Sequence, residues 1–552
     1  MNHHLSLQQD RRAENWQRLA AMTEVDVLII GGGVNGVAVL RDLALNGLRV
    51  ALVDQGDFCG GASSASSRMA HGGLRYLEGR EFRLVAEAAR ERNMLLHDAP
   101  HWVHPLEIVV PLQYRLRGLI SAGLRFMGLS RRPGPLSLAA LGGALMIYER
   151  FGAARRALPS HRLWSRTQAA RLGLAGQIRA VVSYYDGQIL SPEALVLDML
   201  DEALAEPDAV ALNHVNWRAE APGRIGLTDN VTGQSLSLSP RVIVNAAGAG
   251  IDRVNAALGL EGTLVRGVKG AHLLLQQPEV SRRMAGRAFY FDDGGGRMVI
   301  CLPVGDCILM GTTEVETSDP QDKRVAEAEV DYLLGALSRL FEGVRVERRH
   351  IVAATTGIRP LQAGGGSTTQ AARDHALVEG RAGAVPVLSL VGGKWTTFRS
   401  FAEGAADRVL VLLGQPRRIT TAARRYPVPA LAEQIAADCQ IPQIRAAQLV
   451  ARYGAAAGKA ALACAGRDVP LPDLPQSYSA AEIAWLVQNR MAQRLEDLVL
   501  RRSNLVATGA LTLAGLRQVA QAMAGPLGQD EIWIQRELDL ALGDPRILGF
   551  QQ

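Results

Sequence analysis

Aromatic residues make up only 5% of the 552-residue chain, and five cysteines are scattered along it (Cys59, Cys301, Cys307, Cys439, Cys464). An odd number without paired spacing excludes a disulfide scaffold and a zinc ribbon, and fits a reduced, cytosolic compartment. No His, Cys or acidic cluster has metal-ligand spacing, so no metal is expected. Long hydrophobic runs are missing too. The best candidate, Leu136–Tyr148, has 13 residues, short of the ~20 that span a bilayer. Residues 1–24 carry His3, His4, Asp10, Arg11, Arg12 and Glu14 and no apolar segment. They read as a polar, helix-capable leader and not as a signal peptide. No internal repeat is present. What remains is 48% hydrophobic with 57 glycines, the composition of a large α/β enzyme of two to four domains.

The most informative stretch is Val25 to Tyr76. An apolar run of strand length, Val25–Ile30, leads into Gly31-x-Gly33-x-x-Gly36. A helical segment, Val37–Asn46, ends at Gly47; a second strand, Val50–Val53, ends in Asp54. This is a complete βαβ dinucleotide fingerprint. Gly31 allows the tight turn, Gly33 the approach of a pyrophosphate, and Gly36 close helix–strand packing. The helix start presents free N–H groups to phosphates, and Asp54 stands where a carboxylate would take a ribose hydroxyl. Other pieces of nucleotide-domain character are dispersed, at 210–217, 242–248 and 387–397. A nicotinamide enzyme keeps its domain compact; a split domain is the habit of FAD enzymes of the glutathione-reductase type. That inference is fold-level analogy.

Charge is uneven. Residues 113–162 hold nine arginines (115, 117, 125, 131, 132, 150, 155, 156 and 162) and one acid, Glu149. The segment is +8 where the whole chain is +6. Leucines, Phe126, Met127 and Met146 are interleaved. Such a stretch can lie on an anionic membrane. It can also be a packed helix pair with a solvated basic face. The scarcity of aromatics and the lack of a known binding module argue against nucleic acid.

Further motifs follow: Ser63 to Glu91 (SSASSRMAHGGLRYLEGREFRLVAEAARE), Asp186-Gly187, Asn245-Ala246-Ala247-Gly248 and Val268-Lys269-Gly270-Ala271-His272. Gly311-Thr312-Thr313-Glu314, Gly357-Ile358-Arg359-Pro360-Leu361, Arg373-Asp374 and Gly392-Gly393-Lys394 come next, then Arg452-Tyr453-Gly454, Arg494 to Asp497 and Arg501-Arg502 in the helical tail. In this order, from about Glu24 to Leu505, the chain resembles the FAD-dependent glycerol-3-phosphate dehydrogenases. Two places depart from the family pattern. Gln188-Ile189-Leu190-Ser191-Pro192-Glu193 replaces an acid-acid-Ala-Arg run, and 113–146 looks longer than usual.

The resemblance implies an α/β fold with three parts. A split Rossmann-like FAD-binding domain of glutathione-reductase type is expected at 25–112, 175–263 and 350–415. A β-rich substrate and membrane-facing domain is expected at 113–174 and 264–349, and an all-helical domain at 416–552. FAD contacts are expected from Gly31, Gly33, Val34, Asn35, Gly36, Asp54, Ser63, Ser64, Ser66, Ser67, His71, Gly72, Gly73, Leu74, Val215, Ala247, Gly248, Gly357, Gly393, Lys394 and Thr396. The substrate would be sn-glycerol 3-phosphate, or another polyol phosphate or small amino acid in a related enzyme. A phosphate needs guanidinium forks, for which Arg75 and Arg359 are the candidates, with Tyr76, Thr312 and Thr313 as further contacts. His272 is the first choice of base, because imidazole titrates near neutrality. Arg359 could orient the hydroxyl, and Lys394 would stabilise reduced flavin. Electrons would leave to a membrane quinone from a cytoplasmic protein held on the inner face of the membrane. The helical tail could cover the active site or support a homodimer. Cys59 could in principle anchor a flavin, but a small packed residue is the simpler reading.

Overall fold

The computed structural model describes residues 10–74, 81–114, 138–151, 157–221, 223–295, 297–363 and 375–548. Two sheets organise everything before the helical tail. The first is built on the fingerprint. Strand Glu24–Ile30 pairs in parallel with Val50–Val53 on one side and Ser235–Asn245 on the other, so that Ile30 lies beside both Val53 and Asn245. Ala209–Leu212 extends the sheet at one edge, and Val385–Val391 with Ala376–Ala382 at the other. The central strands are apolar on both faces because both faces are covered. Helices Val34–Leu45, Pro192–Ala203 and Phe398–Leu413 pack on one face. The other face meets helix Arg11–Ala21 and the antiparallel strands Val215–Ala221 and Arg224–Asp229.

Two sequence expectations change here. The strand seen at Val242–Val244 begins at Ser235: it pairs antiparallel with Arg224–Asp229 and then runs on into the parallel sheet. The helix Arg11–Ala21 is docked, not a free leader. Asp10 caps it by accepting from Arg12 N, Trp16 and Leu19 enter the core, and buried Arg12 pairs with Asp229 at 2.6 Å. Four buried residues at helical spacing (Arg12, Asn15, Trp16, Leu19) form its inner face. Two of them are polar, so the segment lacks an apolar stripe in the sequence.

The second sheet is mostly antiparallel. It runs Val315–Thr317, Val265–Leu275, Cys307–Gly311, Met298–Val304, Ala288–Asp292, Val103–Leu112, Ala180–Ile189 and Met69–Ala70, with Ile351–Gln362 also on Val265–Leu275. Val103–Leu112, Ala180–Ile189 and Ile351–Gln362 were expected in the FAD-binding domain. They belong instead to this sheet, through long ladders such as Leu106 opposite Asp186. The chain shuttles between the two sheets, and strand pairing is a non-local choice that local motifs do not reveal. Helix Glu327–Ser338 packs beneath this sheet.

The tail is helical, with its own core around Leu449, Trp485, Leu486, Leu516 and Leu538. A buried ionic network ties it to the first sheet. Arg502 donates to both oxygens of Asp57 at 2.5 and 2.7 Å, and Arg501 bridges Asp57 and Asp497. His214 reaches Asp497 at 2.9 Å. Asp57, His214 and Asp497 converge as metal ligands might, but the two guanidinium groups already supply the cations there.

Candidate active site

A cavity of about 1980 Å³ runs between the sheets, well beyond the 300–1,000 Å³ of an ordinary small-molecule pocket. Its floor at one end is the fingerprint. Gly31 has φ +114°, and a Cβ there would lie 2.6 Å from Ala246 O. A Cβ on Gly36 would collide with Gly31 O, so Gly36 permits helix packing and does not itself border the cavity. Helix Val34–Leu45 starts earlier than expected, with Gly33 as a cap that offers no side chain and no acid in the first turn. Val34 N donates to Ser63 Oγ at 3.0 Å. Other N–H groups of this turn remain for an anion. Asp54 borders the cavity. Its oxygens accept from Gly32 N (2.6 Å) and Gly56 N (2.8 Å); burial raises its pKa against the pull of these two donors. Val215 does not line the cavity: its side chain is buried, and its N–H donates to Asp54 O at 2.8 Å. Asn216 and Trp217, which the motif reading missed, line it instead.

The middle of the cavity is formed by the Ser-rich loop and the 392–397 turn. Trp395 Nε1 donates to Ser63 O at 2.9 Å. His71 N donates to Thr396 Oγ1 (3.0 Å), which donates back to His71 O (3.1 Å). Gly393, at φ +99°, has no room for a Cβ beside Asn35. Ser64, Ser66, Ser67, Gly73, Leu74, Ala247, Gly248 and Lys394 all line the space. Lys394 comes in the turn before helix Phe398–Leu413, where Thr397 N donates to Lys394 O. Gly72 packs away from the cavity, against Tyr148, with its N–H on Asp186 at 3.3 Å. Cys59 is buried, does not border the cavity, and has its thiol pKa pushed well up by burial.

The far end is a two-stranded floor. Val265–Leu275 and Ile351–Gln362 run antiparallel, with His272 opposite Thr355, Gly270 opposite Gly357, and Val268 opposite Arg359. Alternation puts these six residues on one face. Gly311, opposite His272 on the next strand, has no room for a Cβ beside the imidazole. Arg359 donates to Thr312 Oγ1 at 3.1 Å and lies 3.8 Å from Glu314. Arg297, missed in the sequence, borders the cavity beside it and donates to Thr312 O at 2.8 Å. Its signal was hidden by the glycine turn before it. His272 is 2% exposed. Its pKa is lowered to about 3 by burial first and then by the Arg359 and Arg68 cations. Ser67 Oγ lies 2.9 Å from its Nε2. Thr313 is not a substrate contact: its hydroxyl donates to Glu329 (2.5 Å) and accepts from Ala271 N (2.8 Å), beneath the floor. Arg75 and Tyr76 lie outside the described residues, as do Arg373-Asp374 and seven of the nine arginines between 113 and 162. Lys269, within the motif, is a buried counter-ion to Asp322 and Glu329.

The glycines that clear this space and the uncapped helix start fit an FAD, which Gly31–Asn35, Asp54, the Ser-rich loop and the 392–396 turn would hold.

Comparison with known proteins agrees. Residues 26–399 match the family of FAD dependent oxidoreductases, and residues 390–532 match the C-terminal domain of alpha-glycerophosphate oxidase. Glycerol-3-phosphate dehydrogenase 1 of Mycobacterium tuberculosis is 31% identical over 528 residues, 92% of this chain and 96% of that one. D-erythritol 1-phosphate dehydrogenase of Brucella abortus is 33% identical over 395 residues, 70% of this chain and 73% of that one. The fold matches that of a glycerol-3-phosphate dehydrogenase from Bacillus halodurans complexed with FAD, with a TM-score of 0.73, 20% identity and 97% of each chain covered. The chain therefore belongs to the FAD-dependent glycerol-3-phosphate dehydrogenase family.

Proposed function

We propose that this protein oxidises sn-glycerol 3-phosphate to dihydroxyacetone phosphate and passes the electrons to a membrane quinone. The observation that carries this reading is the strand floor. The Arg359 guanidinium reaches back over Gly270, two residues from His272. Two residues of antiparallel strand rise about 6.8 Å, which suits a phosphate at one end and, at the other, the secondary alcohol on the carbon next to the one that carries the phosphate. In this reading Arg359, with Arg75 and the neighbouring Arg297, binds the phosphate through charge-assisted hydrogen bonds. Thr312 and Tyr76 add polar contacts. His272 takes the proton of the C2 hydroxyl. Its low basicity in the free protein is partly the work of the Arg359 charge; a bound phosphate dianion offsets that charge and makes the imidazole a better base. Bound FAD supplies the hydride acceptor, and Lys394 offers a cation where negative charge develops.

The basic stretch 113–162 supports peripheral attachment to the inner face of the cell membrane. No helix among the described residues is long and apolar enough to cross one. In the described part, helix Leu138–Phe151 buries Leu141, Leu145 and Tyr148 and exposes Met146. A tetritol phosphate is the second reading, favoured by the Brucella relative and by the departure at 188–193. Anaerobic bleaching of the bound flavin against a panel of polyol phosphates separates the two. Bleaching by none of them contradicts both.

A further inference from the structure

His272 lines the cavity with very little of its surface. The ring is 2% exposed. Its Nδ1 is buried with no hydrogen-bond partner among the described residues, so only Nε2 is connected to anything polar. That connection is the Ser67 hydroxyl, 2.9 Å away. Ser67 is half-buried and borders the cavity. Among the described residues, its hydroxyl is therefore the polar group that joins the imidazole to the space where a substrate would sit.

Ser67 is not left to chance. The next residue, Arg68, has φ +52°, a left-handed backbone that is unfavourable for a non-glycine residue and persists only where its surroundings fix it. Here they do. Arg68 Nη1 donates to Leu190 O at 3.0 Å, and Nη2 pairs with Glu193 at 3.3 Å. Arg68 O accepts from Ile189 N at 2.8 Å, and Arg68 N donates to Ser66 Oγ at 3.2 Å. Three of these four contacts come from the stretch 188–193, where this chain leaves its family's pattern. Glu193 is itself 3% exposed and sits in the first turn of helix Pro192–Ala203.

We propose that Ser67 relays the substrate's C2 hydroxyl proton to His272, and that Arg68 and Glu193 are the positioning residues that hold Ser67 in place. The inference rests on the reading of His272 as the base. The step balances: the C2 hydroxyl gives its proton to Ser67 Oγ as Ser67 gives its own to Nε2. The C2 hydride leaves to bound FAD, and the product is the ketone.

The test is the rate of anaerobic flavin reduction by glycerol 3-phosphate in holoenzyme, measured beside the binding of dihydroxyacetone phosphate from its perturbation of the flavin spectrum. Ser67→Ala should slow reduction by roughly a hundredfold, the lower end of what a proton-transfer group contributes. Product affinity should stay within about twofold. Ser67→Thr, which keeps the hydroxyl, should restore most of the rate. In a His272→Ala background, Ser67→Ala should add nothing, because the two act in series. Glu193→Gln should slow reduction several-fold with FAD content unchanged, and it carries the test should Ser67→Ala lose its flavin. Reduction at the wild-type rate in Ser67→Ala or Glu193→Gln, or additive losses in the double variant, overturns the relay. A His272→Ala enzyme at full rate instead overturns the base assignment beneath it.

Discussion

Gly270 and Gly357 stand directly opposite each other in the floor of the cavity, and each makes room for a different neighbour. A Cβ on Gly270 would lie 2.6 Å from Thr312 Oγ1 and 2.7 Å from Arg359 Nη2. A Cβ on Gly357 would lie 2.9 Å from Ala65 in the Ser-rich loop. Gly270→Ala should therefore push the guanidinium aside and raise the substrate requirement about tenfold or more, with FAD retained. Gly357→Ala should disturb the loop and lower FAD occupancy. Steady-state kinetics and flavin content of the two variants check this; the same defect in both would mean the floor moves as one unit.

His272 links pH to stability. Its pKa is held at about 3 in the folded protein, against about 6.5 in an unfolded chain. Below pH 6.5 the unfolded chain takes up a proton that the folded protein refuses until about pH 3. Stability is lost as pH falls through that window, by up to about 1.4 kcal/mol per pH unit from this group. Urea midpoints at pH 7 and 5 should fall less for His272→Gln than for the parent. An equal fall in both means the imidazole is not held neutral by its surroundings.

Arg502 and Asp57 join the helical tail to the loop that follows Asp54, and neither side chain is exposed. Losing Arg502 strips buried Asp57 of its two-point partner and leaves Arg501 as its remaining cation, so the cost is at most the ~3–5 kcal/mol of a buried charge left unpaired. Arg502→Met should lower the melting temperature and weaken FAD retention together, because Asp57 and Asp54 share one short loop. Thermal melts with and without added FAD test the coupling. Loss of stability with unchanged FAD affinity would confine the pair to domain docking.

The fingerprint, the Ser-rich loop and the Arg359 motif could be read from sequence because each is a local pattern with a local cause: a glycine where a Cβ cannot fit, or a helix start aimed at a phosphate. The residues that misled were those whose role depends on distant partners. Thr313 looked like a substrate contact until Glu329 and Ala271 claimed its hydroxyl. Val215 pointed into the core. Trp217 reaches the cavity through strand pairing, which no local window reports, and Arg297 from the turn that precedes Met298–Val304. The docked helix Arg11–Ala21 hid its inner face because half of it is polar.

Membrane attachment should depend on charge. Changing Arg115, Arg117, Arg125, Arg131 and Arg132 to Gln should weaken flotation with anionic vesicles at ordinary salt. About 1 M salt should do the same to the parent, since the Debye length there is about 3 Å. FAD content should not change, and turnover with quinone-loaded vesicles should fall further than turnover with a soluble dye. Equal flotation of parent and variant would reduce the basic stretch to a solvated face.

The central claim assigns Arg359 to the phosphate and His272 to the C2 hydroxyl, over a glycine floor. Anaerobic titration of the purified holoenzyme with glycerol 3-phosphate tests it most directly, with the flavin absorbance followed in the parent and in Arg359→Ala. The parent should bleach fully with one equivalent of turnover per flavin. The variant should keep its FAD and need about ten- to a hundredfold more substrate, the loss of one charge-assisted phosphate contact worth roughly 1.5–3 kcal/mol. A parent that glycerol 3-phosphate does not bleach, or a variant that bleaches at the same concentration as the parent, would contradict the account.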